Sequence, residues 1–202
     1  MPKYKLVIFD FDDTIGHLTV KWSEVKRELI EWSGKNGTKF DPKEHVIIIS
    51  NKLSESPKGK KKVVEVFSKY EGECVENKSY LMFPSMVMLM KDLQKAGCKI
   101  AIATGNNVKT VTDILKNEKL DSLVDLIVGI DSVRLSKPDP ETLEIIFEKL
   151  GMNKSDSIFI GNSEYDVMAG ERAGVETIKI RTLWEDDVVM LQEKLLDGRV
   201  RF

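Results

Sequence analysis

Residues 6–14, Leu6-Val7-Ile8-Phe9-Asp10-Phe11-Asp12-Asp13-Thr14, decide the fold. Four apolar residues bounded by charge read as a strand buried on both faces, the pattern of an interior strand in a parallel sheet. The strand runs straight into three acids. Asp10 and Asp12 are two apart at its end, so both can project toward the same side of the sheet edge. Like charges this close disfavour joint ionisation, which predicts a bound cation or a shared proton. Mg²⁺ suits such a place because it prefers oxygen ligands in an octahedron and bridges to substrate phosphate.

Outward from this strand the chain repeats its signature. Residues 99–103, 126–130, 157–160 and 177–180 are further short apolar runs. Between the runs lie helical patterns at about 108–116, 140–150 and 165–173, with apolar residues at 3.6 spacing such as Leu143, Ile146, Phe147 and Leu150. Pro138 and Pro140 are placed to open a helix, and Gly97, Gly151 and Gly174 to end one. Strands alternating with helices predict right-handed βαβ units and an α/β fold with a doubly wound parallel sheet.

The first strand breaks this rhythm. About ninety residues separate it from the next sheet strand, where a crossover needs only a dozen or more. The stretch 16–83 therefore reads as a small, mainly helical cap inserted after the first strand, with helices near 20–33 and 60–77. Hinges are expected near Gly16 and Pro84. The core domain is then residues 1–15 and 84–202, entered again through a helix at 85–96. Val46-Ile47-Ile48-Ile49 fits either a strand or a buried helix, and the pattern leaves both open.

Ligands of open parallel sheets bind at the carboxyl ends of the strands. The polar residues just past each expected strand therefore form one candidate site. They are Asp10 to Thr14, Thr104-Gly105-Asn106, Asp131, Ser136-Lys137-Pro138-Asp139, and Gly161-Asn162-Ser163-Glu164-Tyr165-Asp166. Carboxylates at the first and last clusters, with a hydroxyl and an ammonium between them, make a constellation suited to phosphate and metal.

These clusters carry a resemblance. Asp10-Phe11-Asp12-Asp13-Thr14 is similar to the nucleophile motif of the haloacid dehalogenase-like superfamily, most of whose members are phosphatases. Thr104 resembles its second motif, Lys137 before Pro138 its third, and Gly161 to Asp166 its acidic fourth, in the family's order. An insert between the first and second motifs resembles the helical cap of the phosphoglycolate phosphatase-like subgroup. The resemblance implies a Rossmann-like core and a magnesium-dependent phosphatase that hydrolyses a small phosphate monoester.

The roles that follow are specific. Asp10 is expected to attack phosphorus and form an aspartyl phosphate, splitting one hard hydrolysis into two easier steps. Asp12 would protonate the leaving alcohol and then deprotonate the attacking water, its pKa raised by neighbouring carboxylates. Thr104, Gly105 and Asn106 would hold phosphate oxygens through a hydroxyl and backbone N–H groups near a helix start. Lys137 would supply positive charge to the phosphoryl group and keep Asp10 ionised, with Pro138 biasing it toward extended backbone. Metal ligands are expected from Asp10, Asp12, Asn162 and Asp166.

Asn162 departs from the family pattern, which usually has Asp there. An amide oxygen still coordinates but brings no charge, and hard dications bind more weakly with fewer carboxylates. Asn162 as a neutral ligand, direct coordination by Asp166 alone, and a disabled metal site all remain open. Asn162 and Ser163 also suit a helix N-cap. A site that binds phosphate without turnover is the alternative from outside enzymology, and Asn162 is the one feature that favours it. A dehalogenase would lack the second Asp. A mutase or phosphonate hydrolase turns on cap residues that no motif marks.

Composition sets the bounds. The chain has 202 residues, 42% hydrophobic and 32% charged, with a net charge of −2, which argues against a nucleic-acid surface across the molecule. Cys74 and Cys98 sit at no metal-ligand spacing and read as reduced thiols. No apolar run approaches the roughly 20 residues of a membrane helix. The opening Met1-Pro2-Lys3-Tyr4-Lys5 reads as neither signal peptide nor anchor. A cytoplasmic monomer or homodimer acting on a small phosphorylated substrate, without nucleic-acid or membrane partners, is therefore expected. Trp22 and Trp32 are expected in core packing, and Lys58, Lys60, Lys61 and Lys62 on a solvated helix start. His17 and His45 have no evident partners, and 183–196, with Trp184, Val188, Leu191 and Leu195, is expected to pack on the core.

Overall fold

The computed structural model describes residues 3–182 and 185–196. Its first strand, β1 (Leu6–Phe9), is wholly buried. The chain then runs through β2 (Gly16–Leu18), α1 (Trp22–Lys35), α2 (Val46–Ser54), α3 (Pro57–Glu76) and β3 (Tyr80–Met82). It continues as α4 (Pro84–Lys95), β4 (Lys99–Ala103), α5 (Val108–Asn117), β5 (Leu126–Val128) and α6 (Glu141–Leu150). The last elements are β6 (Ser157–Gly161), α7 (Glu164–Ala173), β7 (Glu176–Lys179) and α8 (Glu185–Leu196).

Strand β1 lies at the centre of a five-stranded sheet of order β5-β4-β1-β6-β7, parallel throughout. Leu6 stands opposite Lys99 and Ser157, and Phe9 opposite Ile102 and Ile160. Because side chains alternate, Leu6 and Ile8 face a cluster with Leu143, Ile146, Phe147 and Ala169 from α6 and α7. Val7 and Phe9 face the other cluster, with Leu89, Leu93, Val111, Ile114 and Leu191 from α4, α5 and α8. Both faces are covered, as the doubly wound reading requires. The order turns in opposite directions on either side of β1, so the carboxyl ends of β1, β4 and β6 open onto one crevice.

Glycine closes two of the expected helices: Gly151 and Gly174 take left-handed backbone at the ends of α6 and α7. Pro84 opens α4 and Pro57 opens α3, whereas Pro140 is the N-cap of α6 rather than its first turn. The 46–49 run is helical: it starts α2, with His45 as N-cap accepting from the Ile47 N–H. Strands β2 and β3 pair antiparallel at the base of the insert, Gly16 opposite Met82 and Leu18 opposite Tyr80. At three residues each they are too short to show a period, and the reading of a mainly helical insert did not mark them. Val25, Leu29, Ile49, Val63 and Phe67 from the three inserted helices join the same buried cluster as Phe9, Phe11 and Ile15.

Of the segment 183–196, Leu183 and Trp184 lie outside the described residues, as do Met1 and Pro2. Helix α8 packs on α4 with Val188, Leu191 and Leu195 buried. Among the described residues, no helix is long and apolar enough to cross a membrane.

Candidate active site

The site is built from the chain leaving β1. The Asp10 N–H donates to the Ile160 carbonyl at 2.8 Å, which holds the strand end in register with β6. The chain then folds back: the N–H groups of Thr14, Ile15 and Gly16 all donate to the Phe11 carbonyl. Asp13 takes φ +61° inside this turn, a conformation Asp tolerates better than most L-residues. The turn brings Asp12 beside Asp10, its Oδ1 accepting the Leu18 N–H at 2.9 Å.

Lys137 ties the clusters together. Its Nζ donates to Asp10 Oδ1 at 2.5 Å, Asp166 Oδ1 at 2.5 Å and the Ala103 carbonyl at 2.9 Å, using all three ammonium hydrogens at the ends of β1, β4 and β6. Asp166 Oδ2 accepts from the Ser163 N–H (2.9 Å) and hydroxyl (2.5 Å), closing a capping box at the start of α7. Ser163, not Asn162, is thus the N-cap. Gly161 makes room for this: a Cβ there would lie 2.5 Å from Asp166 Cβ and Cγ. The Thr104 hydroxyl donates to Asn106 Oδ1 at 2.7 Å and accepts the Asn106 N–H at 3.1 Å, folding 104–106 into a tight loop.

Charge here is poorly hydrated. Burial pushes the Asp10 carboxyl up to about 7, with Asp166 adding to the rise and Lys137 opposing it. Asp12 rises to about 6, again chiefly through burial; the Leu18 N–H opposes, and the Asp13 carboxylate adds less. Neighbouring charge, the cause expected from the sequence, is thus the smaller one. Burial alone would push Lys137 down, but Asp10 and Asp166 more than offset it and hold the ammonium charged. Burial would likewise raise Asp166, yet Lys137 and Ser163 bring it below the usual carboxylate range.

Asp10, Asp12, Gly105, Asn106, Lys137 and Asn162 line one cavity of about 340 Å³. Thr104 and Asp166 are buried behind them, and neither lines the cavity. For a hard dication the donors are suited in kind: Asp10, Asp12 and Asn162 present oxygen, and the half-buried Asp12 carboxyl has no ammonium of the described residues bonded to it. Asp166, by contrast, has both oxygens engaged.

Several residues without a motif also belong here. His17 Nδ1 lies 2.7 Å from Asp13 Oδ1 and 3.6 Å from Asp12 Oδ1, carboxylate partners that the sequence did not mark. Asp12, Asp13 and His17 hold ligand atoms within 4.8 Å of one another. Trp22 packs against the core as expected and also lies on the cavity wall, its ring tilted against Phe67 at 5.4 Å, and His45 pairs with Tyr165 at 5.4 Å. Trp32 packs against the core as expected. In the basic run, Lys60 reaches the core and donates to the Ile130 carbonyl at 2.5 Å, while Lys62 pairs with Glu28 and Glu65.

Two further ties join the insert to the site loops. Asn51 on α2 grips Ser136, accepting its N–H and donating to its carbonyl, both at 2.9 Å. Glu71 on α3 is fully buried and accepts from Asn106 Nδ2, the Asn107 N–H and Nδ2, and the Thr110 hydroxyl. An acid on the apolar stripe Val63, Val66, Phe67, Tyr70, Cys74 was the signal available in the sequence.

The family model for haloacid dehalogenase-like hydrolases matches residues 7–180, from β1 through all five clusters. The chain belongs to that family. The phosphoglycolate phosphatase of Salmonella typhi is 28% identical over 114 residues, 56% of this chain and 45% of that protein. Pyrophosphatase PpaX of Halalkalibacterium halodurans is 39% identical over 88 residues, 44% of this chain and 41% of its own length. The chain thus matches less than half the length of these curated relatives. A haloacid dehalogenase-like hydrolase from Bacteroides fragilis shares the fold, with a TM-score of 0.65 at 22% identity and 93% of each chain covered.

Proposed function

We propose that this haloacid dehalogenase-like chain is a phosphatase that hydrolyses a small phosphate monoester through an aspartyl-phosphate intermediate on Asp10, with Mg²⁺ as cofactor. The observation that carries the reading is the buried Lys137 ammonium held between Asp10 and Asp166, with Asp12 beside them and the 104–106 loop on the same cavity. Phosphatase and pyrophosphatase relatives support it.

In the first step an Asp10 oxygen bonds to phosphorus as the ester P–O bond breaks, and Asp12 gives its proton to the departing alkoxide. In the second, water gives a proton to Asp12 and attacks phosphorus, and the bond to Asp10 breaks to release inorganic phosphate. The raised Asp12 carboxyl supports this duty, since it carries a proton closer to neutral pH than an ordinary acid. Lys137 acts through its charge and by aiming Asp10; its hydrogens are engaged, as are the Thr104 hydroxyl and the Asn106 N–H, so phosphate oxygens fall to the Gly105 N–H where the loop lines the cavity. Asp10, Asp12 and Asn162 would hold the metal, which supplies positive charge against the phosphoryl oxygens when bound. Asp166 serves behind them by orienting Lys137.

Residues 16–83 act as the cap over this site, tied down by Asn51, Lys60 and Glu71. The buried free thiols Cys74 and Cys98 support a reducing compartment such as the cytoplasm. The test is hydrolysis of an aryl phosphate with and without Mg²⁺, by wild type and Asp10→Asn. Metal-dependent turnover lost in the variant is expected; equal turnover in both would remove Asp10 from the mechanism.

A further inference from the structure

The wall of the cavity facing Asp10 carries information about the leaving group. It is formed by Trp22, Val46, Ile47 and Phe67 from the insert, with His45 and Tyr165 at its edge. Among the described residues that line the cavity, Lys137 is the sole Lys or Arg, and its hydrogens are taken by Asp10, Asp166 and Ala103. Helix α2 starts at this wall, and a helix start ordinarily welcomes an anion. Here three of its donors are engaged, the Ile47 N–H by His45 Nδ1 at 3.3 Å and the Ile48 and Ile49 N–H groups by the His45 carbonyl, which leaves only the Val46 N–H. Burial also pushes His45 below its ordinary pKa, with Lys26 adding, so it is no ready countercharge.

A second carboxylate or phosphoryl group on the substrate would thus lose its water against a largely apolar wall without a free cation to meet it. A flat apolar group would meet the tilted Trp22–Phe67 pair, set at 60°, in the geometry aromatic rings favour. We propose that the substrate is a phosphate monoester with an apolar, aryl-like leaving group and no second anionic group. This deepens the phosphatase reading and rests on it.

The test is calorimetric titration of the full chain, in Mg²⁺, with methylphosphonate, phenylphosphonate and phosphonoacetate, and with inorganic phosphate as reference. Burial of one phenyl ring predicts that phenylphosphonate binds about ten- to a hundredfold tighter than methylphosphonate. Phosphonoacetate should bind no tighter than methylphosphonate. Trp22→Ala should remove most of the phenyl advantage while leaving methylphosphonate binding in place. If phosphonoacetate binds tightest, or the phenyl group adds nothing, the aryl inference is overturned and the phosphoryl site stands. If neither phosphate nor any phosphonate binds, the phosphatase reading itself is overturned, and this inference with it.

Discussion

Glu71 is a fully buried carboxylate on an inserted helix, and its removal makes a sharp test of how the insert holds the loop after β4. Its oxygens accept from the Thr110 hydroxyl at 2.7 Å, the Asn107 N–H and Nδ2 at 3.0 Å each, and Asn106 Nδ2 at 3.3 Å. Glu71→Ala strips the acceptor from four buried donors at once. Each orphaned donor costs about 1–3 kcal/mol, and water entering the vacated space recovers part of that. The net loss should be about 3–5 kcal/mol, the range for breaking a buried charged contact on one side. For a chain of this size, 1 kcal/mol moves Tm by about 2–4 °C, so a fall of about 10 °C is expected. Glu71→Gln keeps an acceptor oxygen and should lose about half as much. The pH dependence has a definite sign. Burial raises the Glu71 pKa in the folded state, so its contribution is complete below the unfolded value and declines as pH rises through the folded one. The gap between wild type and Glu71→Gln should therefore widen as pH is lowered from 7 toward 4.5. Thermal melts and urea unfolding across that range measure both effects. A Glu71→Ala melt within about 2 °C of wild type would refute the reasoning, because four buried donors cannot lose their acceptor without cost.

Other substitutions probe the site from different sides. Asn162→Asp adds a carboxylate to the cavity and should lower the Mg²⁺ concentration for half-maximal activity by about tenfold, read from a metal titration; an unchanged midpoint would remove residue 162 from the metal site. Gly161→Ala puts a methyl group 2.5 Å from Asp166 Cγ, so it should cost about 1–3 kcal/mol in urea unfolding and depress kcat by displacing Lys137's partner; full activity would show that Asp166 orients nothing. Asp12→Asn should lose alkyl phosphate hydrolysis far more than hydrolysis of an aryl phosphate whose leaving group needs no proton, by about 10²–10⁴-fold in kcat. Equal losses on both substrates would remove Asp12 as the leaving-group acid and leave it only the roles both substrates share, activating water or holding the metal.

The sheet was legible because its strands are interior ones. Leu6 to Phe9, Ile100 to Ala103 and Ile158 to Ile160 are apolar at every position, and only a strand covered on both faces needs that. The insert was legible as an interruption but not in its parts. The β2–β3 ribbon is held by backbone pairing across sixty-odd residues of chain, and three-residue strands leave no periodic trace. Val46 to Ile49 looks the same as a strand or a helix in isolation. His45 decides it, by capping the Ile47 N–H, and His is not among the residues that announce a cap.

The site divides along the same line. The residues that the fold collects near strand ends (Asp10, Asp12, Thr104, Lys137, Asn162) were accessible to reasoning, since topology alone collects strand ends at one edge. What topology does not convey is how each group's bonding capacity is used. Lys137 was expected to charge the phosphoryl site and hold Asp10, and it does bond Asp10, but Asp166 and Ala103 take its other hydrogens; Asp166 was expected at the metal, and its oxygens accept from Lys137 and Ser163. Both follow from burial, because an ammonium or carboxylate removed from water must find partners at once. The same rule explains why the residues that no motif marked, Glu71 and Asn51, are those that bond across from the insert. A polar group on an apolar helix face is stable only where a loop elsewhere offers donors or acceptors to meet it. Such a residue therefore marks where two parts of the chain are held together, and here both mark loops that carry the chemistry.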